Sequence, residues 1–118
     1  MSDITLQELY ELYVGTLRWC SSNVRSLSDE ELLCNLFEEF DVEARSFLHE
    51  ISLDKLREAG LIDDDDVEVS KEIRKRWIAL ESQEWTPEQI RCESEWDDLF
   101  KLCDSLRLNV TSLNSSVN

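Results

Sequence analysis

Residues 28–40 read SDEELLCNLFEEF, and the pattern of this stretch decides the fold class. Ser28 followed by Glu31 is a capping-box pattern, which predicts a helix beginning directly after Ser28. Apolar residues recur at helical spacing along the stretch, while acids occupy the other face. The inner stripe is Leu32, Leu33, Leu36, Phe37 and Phe40, and the outer acids are Asp29, Glu30, Glu38 and Glu39.

Similar signals extend on both sides of this stretch. Thr5 and Glu8 form another capping box, which predicts a first helix over residues 5–23. We expect Asp41 to cap a third helix, and a short fourth helix to follow over residues 53–59. Gly60 fits the left-handed position that ends a helix. The expected inner face of the third helix is Ala44, Phe47, Leu48 and Ile51.

The second half of the chain predicts three further helices. The acids at 63–66 lie where a fifth helix should begin, and acids there are favoured by the helix dipole. Thr86 and Pro87 mark a sharp helix start, and that short helix should give way near Ser94 to a last long one. The predicted inner residues are Val69, Ile73, Trp77 and Leu80, then Trp96, Leu99, Phe100, Cys103 and Leu106.

Length and composition limit the architecture. The chain has 118 residues, enough for one domain, and only two glycines and one proline, too few for the many turns of a sandwich or barrel. We therefore predict an all-α fold, a compact bundle of about five to seven helices with short connections. Residues 1–108 should form the single helical domain, and the Ser- and Asn-rich residues 109–118 a flexible C-terminal tail.

The charge is large and unevenly placed. The formal net charge is −15, and residues 1–68 hold 18 acids and 5 bases, whereas residues 69–118 hold 9 acids and 7 bases. Such a chain should be repelled by nucleic acid and by anionic membranes. A cationic protein partner and simple solubility are the two explanations that remain.

Side chains for catalysis or metal binding are sparse. The four cysteines have no CxxC spacing and His49 is the single histidine, so we expect no zinc site, no other metal and no cofactor. The four contiguous aspartates lack the layout of a calcium loop. We expect buried free thiols, a cytoplasmic location and no enzymatic activity. A small enzyme with an unfamiliar site stays open as a weaker alternative.

Four tryptophans are many for a chain of this length. Trp77 and Trp96 lie on apolar stripes and are expected in the core, and Trp85 precedes a helix cap. Trp19 is offset from the stripe of the first helix and is a candidate interface anchor, because binding energy concentrates in aromatic residues.

A short, acidic, helical chain of this kind resembles the bacterial immunity proteins of contact-dependent growth inhibition and related polymorphic toxin systems. A pattern of residue pairs in the C-terminal part of the chain adds to the resemblance. The pairs are Trp85-Thr86, Glu95-Trp96, Leu99-Phe100 and Cys103-Asp104. The resemblance implies a one-to-one complex with a cognate toxin domain, often a nuclease, whose active site is occluded. Nucleases that hold phosphates are usually basic, so an acidic inhibitor is steered quickly onto them.

The charge pattern alone supplies the candidate contacts. They are Glu30, Glu31, Glu38, Glu39 and Asp41, the cluster Asp63, Asp64, Asp65 and Asp66, and Trp19. The main alternative is an acidic mimic of nucleic acid, or an adaptor, that binds a DNA-associated or regulatory protein. A mimic needs an extended acidic face, whereas toxin inhibition needs only a local patch.

Overall fold

The computed structural model describes residues 4–115, with side chains up to Thr111, and these residues are helical without strands. The predicted all-α class is confirmed. The longest helix, α7, packs against both α1 and α5. The helices are α1 (Leu6–Trp19), α2 (Asp29–Cys34), α3 (Asp41–Phe47), α4 (Glu50–Glu58), α5 (Asp64–Glu81), α6 (Pro87–Cys92) and α7 (Ser94–Ser115), with a 3₁₀ turn at Ser22–Ser26 and a π-helical segment at Asn35–Phe40.

The helix starts follow the sequence signals. Full capping boxes form at Thr5 with Glu8, at Asp63 with Asp66 and at Thr86 with Gln89. The Ser28 side chain accepts from the Glu31 amide, as predicted. Gly60 has a φ of 76°, and the Leu61 amide reaches back to the carbonyl of Leu56, which together close α4.

The central helix differs from the prediction. Asp41 caps no helix, because the chain continues from α2 through the π segment into α3 without leaving helical conformation. The buried residues recur every fourth position, and each such step overshoots a full α-turn by about 40°. The wider π turns offset that drift and hold one stripe against the core. This stripe is Leu32, Leu36, Phe40, Ala44 and Leu48.

Two helix ends also differ from the prediction. The first helix ends at Trp19 rather than near Asn23, and the 3₁₀ turn follows. The third helix ends at Phe47, so Ile51 falls on α4 and is 63% exposed instead of internal. The fourth helix begins at Glu50 instead of residue 53, because the His49 ring nitrogen Nδ1 accepts from the Ile51 amide and caps α4.

The core is centred on two tryptophans. Trp77 of α5 and Trp96 of α7 are fully buried, as expected, and their rings lie edge to face 5.9 Å apart. Their burial ties the two longest helices together. Val69 is only half-buried, since α5 turns Val67 and Ser70 inward instead.

Part of the segment predicted as a C-terminal tail is helical in the described residues. Helix α7 continues to Ser115, and Val110 is fully buried. The Tyr10 hydroxyl donates to the Val110 carbonyl, and the Asn109 side-chain amide donates to Asp66. These contacts hold residues whose Ser- and Asn-rich composition predicted fraying. Residues 116–118 of the predicted tail lie outside the described part of the chain.

Candidate functional site: an acidic groove around Phe37

A groove runs along the outer side of α2 and the π segment. It consists of two adjacent cavities of about 510 and 660 Å³, and Phe37 lines both. We call it the Phe37 groove. The first cavity is lined by Glu30, Glu31, Leu33, Cys34, Phe37 and Glu38, and the second by Phe37, Glu81, Gln83, Glu84, Trp85, Thr86 and Gln89.

The floor of the groove is aromatic and firmly supported. The half-buried ring of Phe37 lies 5.3 Å from Trp77 and 6.2 Å from Trp96. Trp85 stands at 90° to Trp96 with 5.7 Å between ring centroids, and its indole N–H donates to the Leu80 carbonyl. Because Trp77 and Trp96 are fully buried, the floor rests on the rigid centre of the core.

The rim of the groove is acidic. Five glutamates line the two cavities, and no lysine or arginine does. Glu81 pairs with Arg45 at 3.0 Å, whereas Glu30, Glu38 and Glu84 form no ion pair with the described residues. The groove therefore presents uncompensated negative charge beside an apolar surface.

The pKa of the Cys34 thiol reflects this concentration of negative charge. Desolvation raises its pKa above the ordinary value of a cysteine, and the neighbouring carboxylates of Glu38, Glu39 and Glu30 raise it further. A thiolate is disfavoured where negative charge is already concentrated. The structure thus places Glu30, Glu38 and Glu39, three of the predicted outer-face acids, around Cys34.

Asp41 and Trp19 lie outside the groove, and each has a structural partner. Asp41 accepts from the buried indole N–H of Trp77 at 2.8 Å and pairs with Arg45 at 2.9 Å. Trp19 is half-buried, and its indole N–H donates to Glu43 at 3.1 Å. Both side chains join helices that are distant in sequence.

The aspartates at 63–66 lie far from the groove. They begin α5, whereas Glu81 of the groove ends it, 17 residues after Asp64. At about 1.5 Å per residue the two acidic clusters are roughly 25 Å apart along the helix. The charge pattern alone gave no sign of this separation.

The four members of that cluster differ in their surroundings. Asp63, Asp64 and Asp65 are exposed, but Asp63 is the N-cap and Asp64 pairs with Arg57 at 3.7 Å, while Asp66 is only 2% exposed. Asp66 accepts from the Asp63 amide and from Asn109, yet desolvation outweighs these bonds and raises its pKa. Asp63 and Asp66 therefore have a structural role at the start of α5, and their role in binding stays a prediction.

Sequence reasoning missed the second wall of the groove. Glu81, Glu84 and Trp85 belong to the end of α5 and the turn before α6, and Phe37 was assigned to the core. The sequence feature that could have indicated partial exposure of Phe37 is its place at the edge of the apolar stripe. The cysteines also differ from the prediction, because Cys92 is exposed and Cys34 half-buried, although all four are free.

Comparison with known proteins finds no matching protein-family model, no curated protein and no solved structure that is similar at a significant level. Within the described residues, no three histidine, cysteine or acidic side chains are placed to hold a metal ion. None of the described helices is long and apolar enough to cross a membrane.

Proposed function

We propose that this protein is an immunity-type inhibitor that binds a basic toxin domain, of the nuclease kind, in a one-to-one complex in the cytoplasm. The observation that carries the proposal is the Phe37 groove, in which an aromatic floor is bordered by five glutamates and no cation. Buried aromatic anchors supply affinity, and surrounding charges supply specificity and fast association.

The groove suits a projecting cationic segment of the partner. Lysine or arginine side chains would meet Glu30, Glu38 and Glu84, while their aliphatic stems would cover Phe37 and Trp85. Arginine in particular would stack on these rings. The resemblance to immunity proteins gives the expected identity of the partner.

A local groove favours inhibition over mimicry of nucleic acid. A mimic needs carboxylates spread along an extended face, whereas here the second acidic cluster lies at the other end of α5. Two of its four aspartates are also occupied in capping that helix.

The first experiment is a pull-down from the source organism that includes the product of the gene immediately upstream. Recovery of a basic toxin domain, followed by loss of its activity on adding this protein, is the expected result. Recovery of a DNA-binding or regulatory protein instead would move the assignment to the mimic or adaptor.

Two charge-matched variants then locate the binding surface. Glu30→Gln with Glu38→Gln alters the groove, and Asp64→Asn with Asp65→Asn removes the same charge at the far end. At 0.15 M salt the Debye length is about 8 Å, so the far pair should act only weakly. We expect the Glu30→Gln, Glu38→Gln double variant to associate more slowly with the toxin at both salt concentrations. The Asp64→Asn, Asp65→Asn double variant should do so only at low salt. Equal effects at both salt concentrations would rule the groove out.

A further inference from the structure

A cavity on another face has a lining opposite in charge to the Phe37 groove. It has a volume of about 330 Å³ and lies between the end of α1, the 3₁₀ turn, the start of the π segment and α7. Two arginines, Arg18 and Arg107, line it, and no carboxylate of the described residues does. In a chain with 27 acids and 12 bases, two arginines sharing one cavity stand out.

Neither arginine has an acidic partner. Arg18 and Arg107 form no ion pair with the described residues, although most cations of the chain do. The Nε atom of Arg107 is buried and has no hydrogen-bond acceptor among those residues. Buried donors are nearly always satisfied, and an exception points to a missing water or ion.

The remaining polar lining also offers donors. Ser21 is 3% exposed, and Asn23 and Asn35 contribute side-chain amides. Asp104 precedes Arg107 by about one helical turn, but its carboxylate accepts from the backbone amide and the hydroxyl of Ser22. Among the described residues it therefore contacts the turn and forms no ion pair with either arginine.

We propose that this cavity is a binding site for a small phosphate-bearing anion. Guanidinium groups bind phosphate oxygens in bidentate fashion, and two of them with hydroxyl and amide donors match an anion with several oxygens better than a two-oxygen carboxylate. The volume lies at the lower end of the range for small-molecule sites, which suits free phosphate or a short phosphate monoester. Because the site is separate from the groove, it does not depend on the proposed inhibitor function.

The test is a thermal-unfolding titration of the full chain with inorganic phosphate, against sodium chloride at equal ionic strength to remove general screening. Arg18→Gln and Arg107→Gln each remove one arginine of the cavity. Arg74→Gln is the matched control, since Arg74 also lacks an ion pair and has a buried Nε without an acceptor but does not line the cavity.

We expect phosphate to raise the Tm of the wild type and of Arg74→Gln beyond the effect of chloride, as ligand binding to the folded state requires. The cavity variants should bind phosphate at least tenfold more weakly. An equal weakening of phosphate binding in Arg74→Gln would overturn the proposed site. So would the absence of a phosphate-specific rise in the Tm of the wild type. Arg18 is exposed, so its variant keeps the test valid if Arg107→Gln fails to fold.

Nuclear magnetic resonance of the arginine Nε–H groups gives an independent readout. Phosphate should shift the Arg107 resonance and leave that of Arg74 in place. Glycerol 3-phosphate binding more tightly than phosphate would identify a monoester as the ligand, and equal binding would identify the free ion. Acetate acting as strongly as phosphate would contradict the proposed preference for phosphate.

Discussion

The side-chain amide of Asn109 donates a 2.7 Å hydrogen bond to the buried carboxylate of Asp66. This bond joins the late turns of α7 to the first turn of α5, where Asp66 also completes the capping box with Asp63. It makes residues near the C-terminus part of the folded domain.

We therefore expect Asn109→Ala to lower the free energy of unfolding by about 1–3 kcal/mol, because it leaves a buried acceptor with one donor fewer. Urea denaturation followed by circular dichroism measures the change. Ser105→Ala, at an exposed position of the same helix, is the control and should stay within about 0.5 kcal/mol. If both variants match the wild type, residues beyond 108 do not contribute to the fold.

The stability contributions of Asp66 and Asp97 should depend on pH in opposite directions. Desolvation raises the pKa of folded Asp66, so its contribution is present at low pH and is lost as pH rises from about 3.9 through the folded value. Hydrogen bonds from Lys101 and Arg25 lower the pKa of Asp97, so its contribution is lost as pH falls below about 3.9.

Unfolding measured from pH 2.5 to 7 on the wild type, Asp66→Asn and Asp97→Asn tests this. Relative to Asp66→Asn the wild type should lose stability as pH rises, and relative to Asp97→Asn it should gain stability. If the stability difference between the wild type and each variant changed in the same direction with pH, the raised pKa assigned to Asp66 would be contradicted.

Asp41 and Glu38 should separate folding from binding. Asp41→Ala removes the acceptor of the buried Trp77 indole and should cost about 1–3 kcal/mol of stability. Glu38→Ala carries the same charge change on an exposed position and should leave stability within about 0.5 kcal/mol. Under the proposed function, association with the toxin should slow for Glu38→Ala and stay near the wild-type rate for folded Asp41→Ala. The reverse pattern would place the binding surface around Asp41.

Thiol reactivity can probe the groove without any partner. At pH 8 a neutral reagent such as N-ethylmaleimide should modify exposed Cys92 first and Cys34 more slowly, while fully buried Cys20 and Cys103 stay protected until unfolding. Glu38→Gln should accelerate the modification of Cys34, because it removes a carboxylate that raises the pKa of this thiol, and should leave the rate at Cys92 unchanged. An equal acceleration of both would mean a general loss of charge or of structure.

Local signals explain what the sequence predicted well. Caps at Thr5, Ser28 and Thr86 and the turn at Gly60 depend on neighbours within a few residues, so the sequence alone locates them. The acids of α2 were predicted to share a face for the same reason. Helical periodicity alone is enough to place them together.

Contacts between distant segments explain what was missed. Asp41 meets Trp77 and Asp66 meets Asn109 across 36 and 43 positions, and neither pairing has a local signature. The strict four-residue spacing of Leu32, Leu36 and Phe40 is the sequence feature that indicates a π segment. An ordinary α-helix, which the sequence analysis predicts here, would turn such a stripe away from the core. The far wall of the groove depends on how the end of α5 packs beside the π segment, where Phe37 contacts Trp77.

The continuous helical run over residues 29–47 has an evolutionary consequence. One side carries the four-residue stripe that folds the protein, and the adjoining side carries Glu30, Leu33 and Glu38 of the groove. Mutations on the groove side leave the stripe intact, so under the proposed function descendants of this chain would change their choice of partner while inheriting the same scaffold. Paralogues that differ mainly at these groove positions would be the trace of such divergence.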